Sequence, residues 1–197
     1  MSSPRLRRTP GRPRDPSVDE SITRACRELL LELGYSALTI EAVAERAGVG
    51  RPTIYRRWPS KPYMVWDALF TTPQDATVIG ETGDLRADLE LWVTATMEFF
   101  SRPEVARAFS GLINDQPMDT AWQARLRDPV KEHVITRLRR GIDEGDLRPD
   151  ADPAAIFDMV IGFAIYRSAV PQGSETPPSP QTITDHVLRG AAADKKS

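Results

Sequence analysis

Arg51 and Arg56 lie within six consecutive residues, with Pro52 and Thr53 between them. A guanidinium carries a rigid fork of N–H donors and a charge that ordinary pH never removes. It therefore suits paired acceptors such as a carboxylate, a phosphate or the O6 and N7 edge of guanine. If this segment is helical, Pro52, Thr53 and Arg56 share one side of it, because residues three and four apart are helix neighbours. Arg51, Pro52 and Thr53 then form the end of a helix able to meet base edges in a DNA major groove. A bidentate arginine there is worth about 1–3 kcal/mol of discrimination between bases. Arg51 and Arg56 are the base-reading candidates, and Arg57 is expected at solvent or at a phosphate.

Other chemistries find less support. No Gly-rich phosphate loop, nucleophile elbow or zinc-binding spacing occurs, and the carboxylates fall mostly on polar helix faces or turns, where charges stay solvated. Neither enzymatic activity nor a cofactor nor a metal is expected. The two histidines, His133 and His186, show no ligand spacing, and His133 is instead a candidate polar group in a pocket. The single cysteine, Cys26, allows no intrachain disulfide and sits beside Ile22 and Leu29, as a small buried hydrophobe does. The longest strongly apolar stretch, Met159 to Ile165, is far short of the roughly 20 residues of a membrane helix. Pro4 to Ser21 lacks the apolar run of a signal peptide, so a cytoplasmic protein without membrane contact is expected.

The net charge of -2 conceals a division. Residues 1–62 carry 12 Lys+Arg and 7 Asp+Glu, a surplus of five positive charges, whereas 63–197 carry 14 and 21, a surplus of seven negative ones. A basic portion of this kind is suited to an anionic polymer and an acidic remainder to solubility.

The elements that must hold Arg51 and Arg56 follow from periodicity. Residues 1–16, with Arg5, Arg7, Arg8, Arg12 and Arg14 among prolines and glycine, cannot bury a core and read as a flexible basic arm. From Ser17, a capping-box sequence, Val18, Ile22, Ala25, Cys26, Leu29, Leu30 and Leu33 recur at helical spacing until Gly34 stops the run. Thr39 caps a short helix bearing Ile40, Val43, Ala44 and Ala47. Gly48-Val49-Gly50 ends it, and Pro52 opens the next turn, with Ile54 and Trp58 on the buried side. Two short helices joined by a glycine-containing turn form a helix-turn-helix. Ser60 is expected to cap a fourth helix through Leu69. Further helices are marked by Leu85 to Phe99, by Val105 to Leu112, and by Trp122 to Ile142 with a kink at Pro129. Two more run from Pro153 through Phe163 and from Ile183 to Ala191. No strand pattern appears; an all-α chain of about nine helices is expected, with a helix-turn-helix domain at 17–62 and a helical domain at 63–194.

The stretch Thr39 to Lys61, TIEAVAERAGVGRPTIYRRWPSK, resembles the DNA-binding domain of the TetR family of bacterial transcriptional regulators. The turn Gly145-Asp-Leu-Arg-Pro-Asp150 and the segment Ile161-Gly-Phe-Ala-Ile-Tyr-Arg167 are similar to the C-terminal domain of many members. The resemblance implies an all-helical homodimer that binds double-stranded DNA and releases it when a small molecule enters the C-terminal domain. It also implies that Thr39, Tyr55 and Lys61 meet backbone phosphates, contacts that position without specifying sequence. Gly50 and Pro52 stand where a Ser or Thr cap and a small residue are usual. The arm's Pro10-Gly11-Arg12-Pro13-Arg14 resembles the core of an AT-hook; Arg8, Arg12 and Arg14 either enter an A·T-rich minor groove or remain a solvated tail near phosphates.

In the C-terminal part, Trp92, Phe99, Phe109, Leu112, Trp122, His133, Phe163 and Tyr166 are candidates for lining a pocket for a small apolar or amphipathic effector, or else are plain core. Ile156, Met159, Val160 and Phe163 with Ile183, Val187 and Ala191 are the candidate surface of a twofold dimer. The combined expectation is a homodimeric repressor reading a palindromic operator, with the fourth helix as the lever between ligand and DNA. The alternative is an architectural or nucleoid-associated DNA-binding dimer that needs no effector.

Overall fold

The computed structural model describes residues 16–70, 79–115, 117, 119, 129–170 and 176–191, and the described residues form nine α-helices and no strand. The first four are α1 (Pro16–Ala37), α2 (Ile40–Arg46), α3 (Arg51–Tyr55) and α4 (Lys61–Phe70). Then come α5 (Leu85–Ser101), α6 (Pro103–Asn114), α7 (Pro129–Asp143), α8 (Pro153–Ala169) and α9 (Pro180–Ala191).

The helix boundaries have local causes. Gly34 (φ 73°) breaks the helical geometry near the end of α1, in a backbone region that L side chains avoid. Thr39 accepts a hydrogen bond from the Ala42 N–H at 3.1 Å, and Gly48 (φ 66°) turns the chain out of α2. Asp84 caps α5 by accepting from the N–H groups of Arg86 and Ala87, and Asp152 caps α8 through those of Ala154 and Ala155. One expectation needs correction. Ser60 precedes α4, but its hydroxyl is buried without a hydrogen-bond partner, so it does not cap the helix. α7 is described from Pro129 onward, so the kink expected there falls at the edge of the described residues. The upstream portion of the expected helix, including Trp122, lies outside the described residues.

Helix α1 packs against α2, α4 and α6; α5 packs against α6, α7, α8 and α9; α8 also meets α6 and α7. Two apolar cores result. One joins α1 to α4 with Phe99, Phe100, Val105, Ala108, Phe109 and Leu112 of α5 and α6. The other gathers Leu85, Leu89, Trp92 and Val93 of α5 with Val134, Leu138, Leu147, Ile156, Phe157 and Val160. The division therefore runs through α5, whose two halves serve different cores.

Candidate nucleic-acid interface

The pattern Ile54 inward, Tyr55 outward follows from helix geometry. Ile54 and Trp58, four positions apart, are buried, and Trp58 donates through Nε1 to Asp67 at 2.7 Å, which ties α3 to α4. Tyr55 and Arg56 are exposed on the other side. Among the described residues the Arg56 guanidinium has no ion-pair partner, so both of its N–H edges face solvent. Pro52 is exposed at the first turn of α3, and the Thr53 N–H donates to the Gly50 carbonyl at 2.8 Å. The exposed Thr39 hydroxyl accepts from Ala42 and still has its own proton to donate, which is what a phosphate oxygen takes.

Three expected contacts take a different form. Arg51 donates to Glu41 of α2 at 3.1 Å, both side chains more than half exposed; the Glu41 carboxyl is held below its usual range by its own backbone N–H first and by this guanidinium second. Lys61 is partly buried: its ammonium donates to the Tyr35 carbonyl at 2.9 Å and lies 4.1 Å from the centre of the Tyr35 ring. Arg57 does not face solvent. Its side chain is only 8% exposed, and its guanidinium pairs with Asp19 of α1 and donates to the Thr53 carbonyl at 3.1 Å. Arg57 thus braces α3 against α1. Asp19 marked this role in the sequence only as part of the α1 cap, and nothing in the spacing linked it to a residue 38 positions away. Arg8, Arg12 and Arg14 lie outside the described residues.

Contacts from α1 and α4 to α6 connect this surface to the rest of the chain. The Tyr35 hydroxyl donates to Asp115 at 2.8 Å, Arg107 donates to the Leu31 carbonyl, and Tyr63 donates to Asp119. The Tyr35 ring lies so close to Gly111 that a Cβ there would meet it at 2.4 Å. Burial first, then Asp115, pushes the Tyr35 phenol well above its usual range, so it stays a donor at any working pH. Burial likewise raises the Cys26 thiol to about 12, which leaves it an inert core group.

The seven described pocket candidates are not gathered around one cavity, and Trp122 lies outside the described residues. Trp92 is fully buried and stacks on Phe157 at 5.6 Å, in one core, while Phe99, Phe109 and Leu112 fill the other. His133 is 39% exposed and 3.8 Å from Glu81. Tyr166 is 56% exposed, on an outward stripe of α8 that also holds Ala155, Met159, Gly162 and Ala169. The dimer candidates also separate. Ile156 and Val160 are buried in the chain's own core, because α8 is apolar on every side and turns that edge toward α5 and α7. Met159 stays exposed, and with Phe163, Ile183 and Val187 it borders an open groove of roughly 290 Å³ between α8 and α9. Ala191 ends α9.

The helix-turn-helix and its exposed arginine define a helical DNA-binding protein, and comparison with known proteins supplies the family. Residues 22–65 match the family model described as bacterial regulatory proteins, tetR family, and residues 79–187 match the tetracyclin repressor-like C-terminal domain. The HTH-type transcriptional regulator YdeS of Bacillus subtilis is 31% identical over 160 residues, 80% of this chain and 81% of that protein. The regulator Rv1556 of Mycobacterium tuberculosis is 30% identical over 183 residues, 90% and 91% of the two chains. Among solved structures, the TetR family transcription regulator SCO0332 aligns with a TM-score of 0.67 at 28% identity, covering 88% of this chain and 98% of that one. The chain belongs to the TetR family and is a DNA-binding transcriptional regulator. No described helix is long and apolar enough to cross a membrane.

Proposed function

We propose that the protein is a homodimeric repressor that binds an inverted-repeat operator and is released by a small molecule. The observation that carries the reading is the exposed, unpaired Arg56 beside exposed Tyr55 on α3, backed by a buried Ile54 and Trp58 that leave the helix one orientation. Arg56 reads a base edge, and Tyr55 and Thr39 donate to phosphates. Arg51 joins the readout on leaving Glu41, an exchange that costs little between exposed partners. Lys61 contributes charge near the start of α4 while it clamps Tyr35. The arginine arm adds sequence-independent attraction or minor-groove contacts.

The apolar outward stripe of α8 supports the dimer: a contiguous face of Ala155, Met159, Gly162 and Tyr166 is what a twofold partner covers. Small residues at 155 and 162 let a second helix approach closely. Effector release requires the ligand to favour the arrangement that cannot bind DNA, since only differential affinity shifts an equilibrium. Selection of bound duplexes from a random library at near-physiological salt tests the whole reading. An enriched inverted repeat is expected; tight binding with no enriched sequence would favour an architectural role instead.

A further inference from the structure

Tyr35 stands where α1, α4 and α6 meet. It follows Gly34, whose φ of 73° breaks α1, and it is buried. A carbonyl in the last turn of a helix has no helical N–H four residues on to fill it. That of Tyr35 accepts from the Leu38 N–H at 3.2 Å and from the Lys61 ammonium at 2.9 Å. Leu38 directly precedes Thr39, the cap of α2, so the groups offered to phosphates at the starts of α2 and α4 are tied to one residue. The Lys61 ammonium also lies 4.1 Å from the centre of the Tyr35 ring, where a cation is attracted by the ring face. An ammonium has three N–H donors, so one on the carbonyl and its charge against the ring still leave a donor for a phosphate. The Tyr35 carbonyl and ring thus set the place from which Lys61 reaches DNA.

Tyr35 is held in turn by α6. Arg107 and Gly111 of α6 and Asp115 just past its end are spaced four apart, as neighbours along one helix face are, and they run beside Leu31 and Tyr35 of α1. Arg107 donates to the Leu31 carbonyl, and the Tyr35 hydroxyl donates to Asp115 at 2.8 Å. A Cβ on Gly111 would meet three successive atoms of the Tyr35 side chain at 2.4, 2.8 and 3.0 Å, so the ring lies against the α6 backbone at a point where only glycine fits. Close-packed interiors transmit displacements instead of absorbing them. A shift of α6 therefore carries Tyr35 with it, and a shift of Tyr35 moves the support beneath Lys61.

We infer that Tyr35 is a positioning residue for a phosphate contact made by Lys61, and that its seat on Gly111 and Asp115 makes that contact depend on where α6 stands. This inference rests on the reading above that Lys61 lends its charge to DNA. The test is the affinity of the full chain for the tightest duplex of the selection above, measured across a range of salt concentrations, with the urea midpoint of each variant checking the fold. Lys61→Met should lower the slope of log K against log salt by about one, the signature of one lost phosphate contact. Gly111→Ala, which forces the ring aside, should reproduce at least half of that fall although residue 111 lies outside the helix-turn-helix. Asp115→Ala should lower the slope too, whereas Asp115→Asn, which loses the same charge but keeps an acceptor for the Tyr35 hydroxyl, should leave it at the wild-type value. Both falls should vanish when Lys61 is already methionine, because residues that act through a partner lose their effect with it. Wild-type slopes in Gly111→Ala and Asp115→Ala would overturn the positioning role while leaving the Lys61 contact in place. So would equal falls for Asp115→Ala and Asp115→Asn, which would assign the effect to charge, or falls that persist beside Lys61→Met. An unchanged slope in Lys61→Met would instead refute the phosphate contact itself, and the positioning role with it. If Gly111→Ala does not fold, the Asp115 pair decides.

Discussion

The helix-turn-helix surface and the interior of the C-terminal helices hold different kinds of ion pair. On α1 to α3 two of the pairs are wet: Arg46 bridges Glu32 at 2.8 Å and Arg51 bridges Glu41 at 3.1 Å, all four side chains more than a third exposed, and only the Arg57 side of the Arg57–Asp19 brace is buried. Between α5 and α7 the pair is dry: Asp88 and Arg137 meet at 2.7 Å with side-chain exposures of 0% and 2%. Solvated pairs contribute little and exchange partners easily, whereas a buried pair holds its two helices at one register. The DNA-facing surface thus keeps arginines that can change partners, and the interior of the C-terminal part keeps one that cannot.

The largest effect that separates the two regions is expected at Asp88. Asp88→Ala leaves the buried Arg137 charge with only Glu144, 3.7 Å away and half exposed, and should cost about 3 kcal/mol in urea unfolding, while Arg46→Ala leaves the midpoint nearly unmoved. Comparable losses from both would erase the contrast. The same carboxylate predicts an acid limit. Burial alone would raise its pKa, but the Thr82 backbone N–H, Arg137 and the Thr82 hydroxyl together lower it below its ordinary value. Its contribution is therefore complete above about pH 5, where an unfolded aspartate is ionised, and disappears as pH falls through the lower native value. Stability should stay level in this respect from pH 7 to pH 5 and decline below that; Asp88→Asn should flatten that decline.

Arg56→Ala comes next, with about 1–3 kcal/mol lost at one base position of each half-site and no change in unfolding. Arg57→Ala reverses the pattern. Loss of the Asp19 brace should lower stability by about 1–2 kcal/mol and weaken binding to every sequence alike. Smallest is Tyr55→Phe, which removes one hydroxyl from an exposed ring and should weaken all duplexes uniformly by about 0.5–1.5 kcal/mol. A base-dependent loss in a competition assay would assign Tyr55 to readout instead.

Much of the first region was legible because its signals are local. Thr39, Gly48 and Pro52 fix helix ends within a few residues, and the four-residue spacing of Ile54 and Trp58 fixes which way α3 faces. What escaped depends on distance in sequence: Arg57 bracing Asp19, and Lys61 turned onto Tyr35. In the C-terminal part periodicity located helices but not their sides. Apolar residues occur on every side of α8, so no stripe distinguished Ile156 and Val160, which face the core, from Met159 and Tyr166, which face out. The Asp88–Arg137 pair escaped for a related reason, since neither residue differs in type from the solvated charges around it.

The most direct measurement is parallel selection of bound duplexes with wild type, Arg56→Ala and Arg57→Ala at near-physiological salt. The account predicts an inverted repeat for wild type, the same repeat with one relaxed position per half-site for Arg56→Ala, and an unchanged repeat at lower affinity for Arg57→Ala. A motif altered by Arg57→Ala and untouched by Arg56→Ala would contradict the division between a reading arginine and a bracing one.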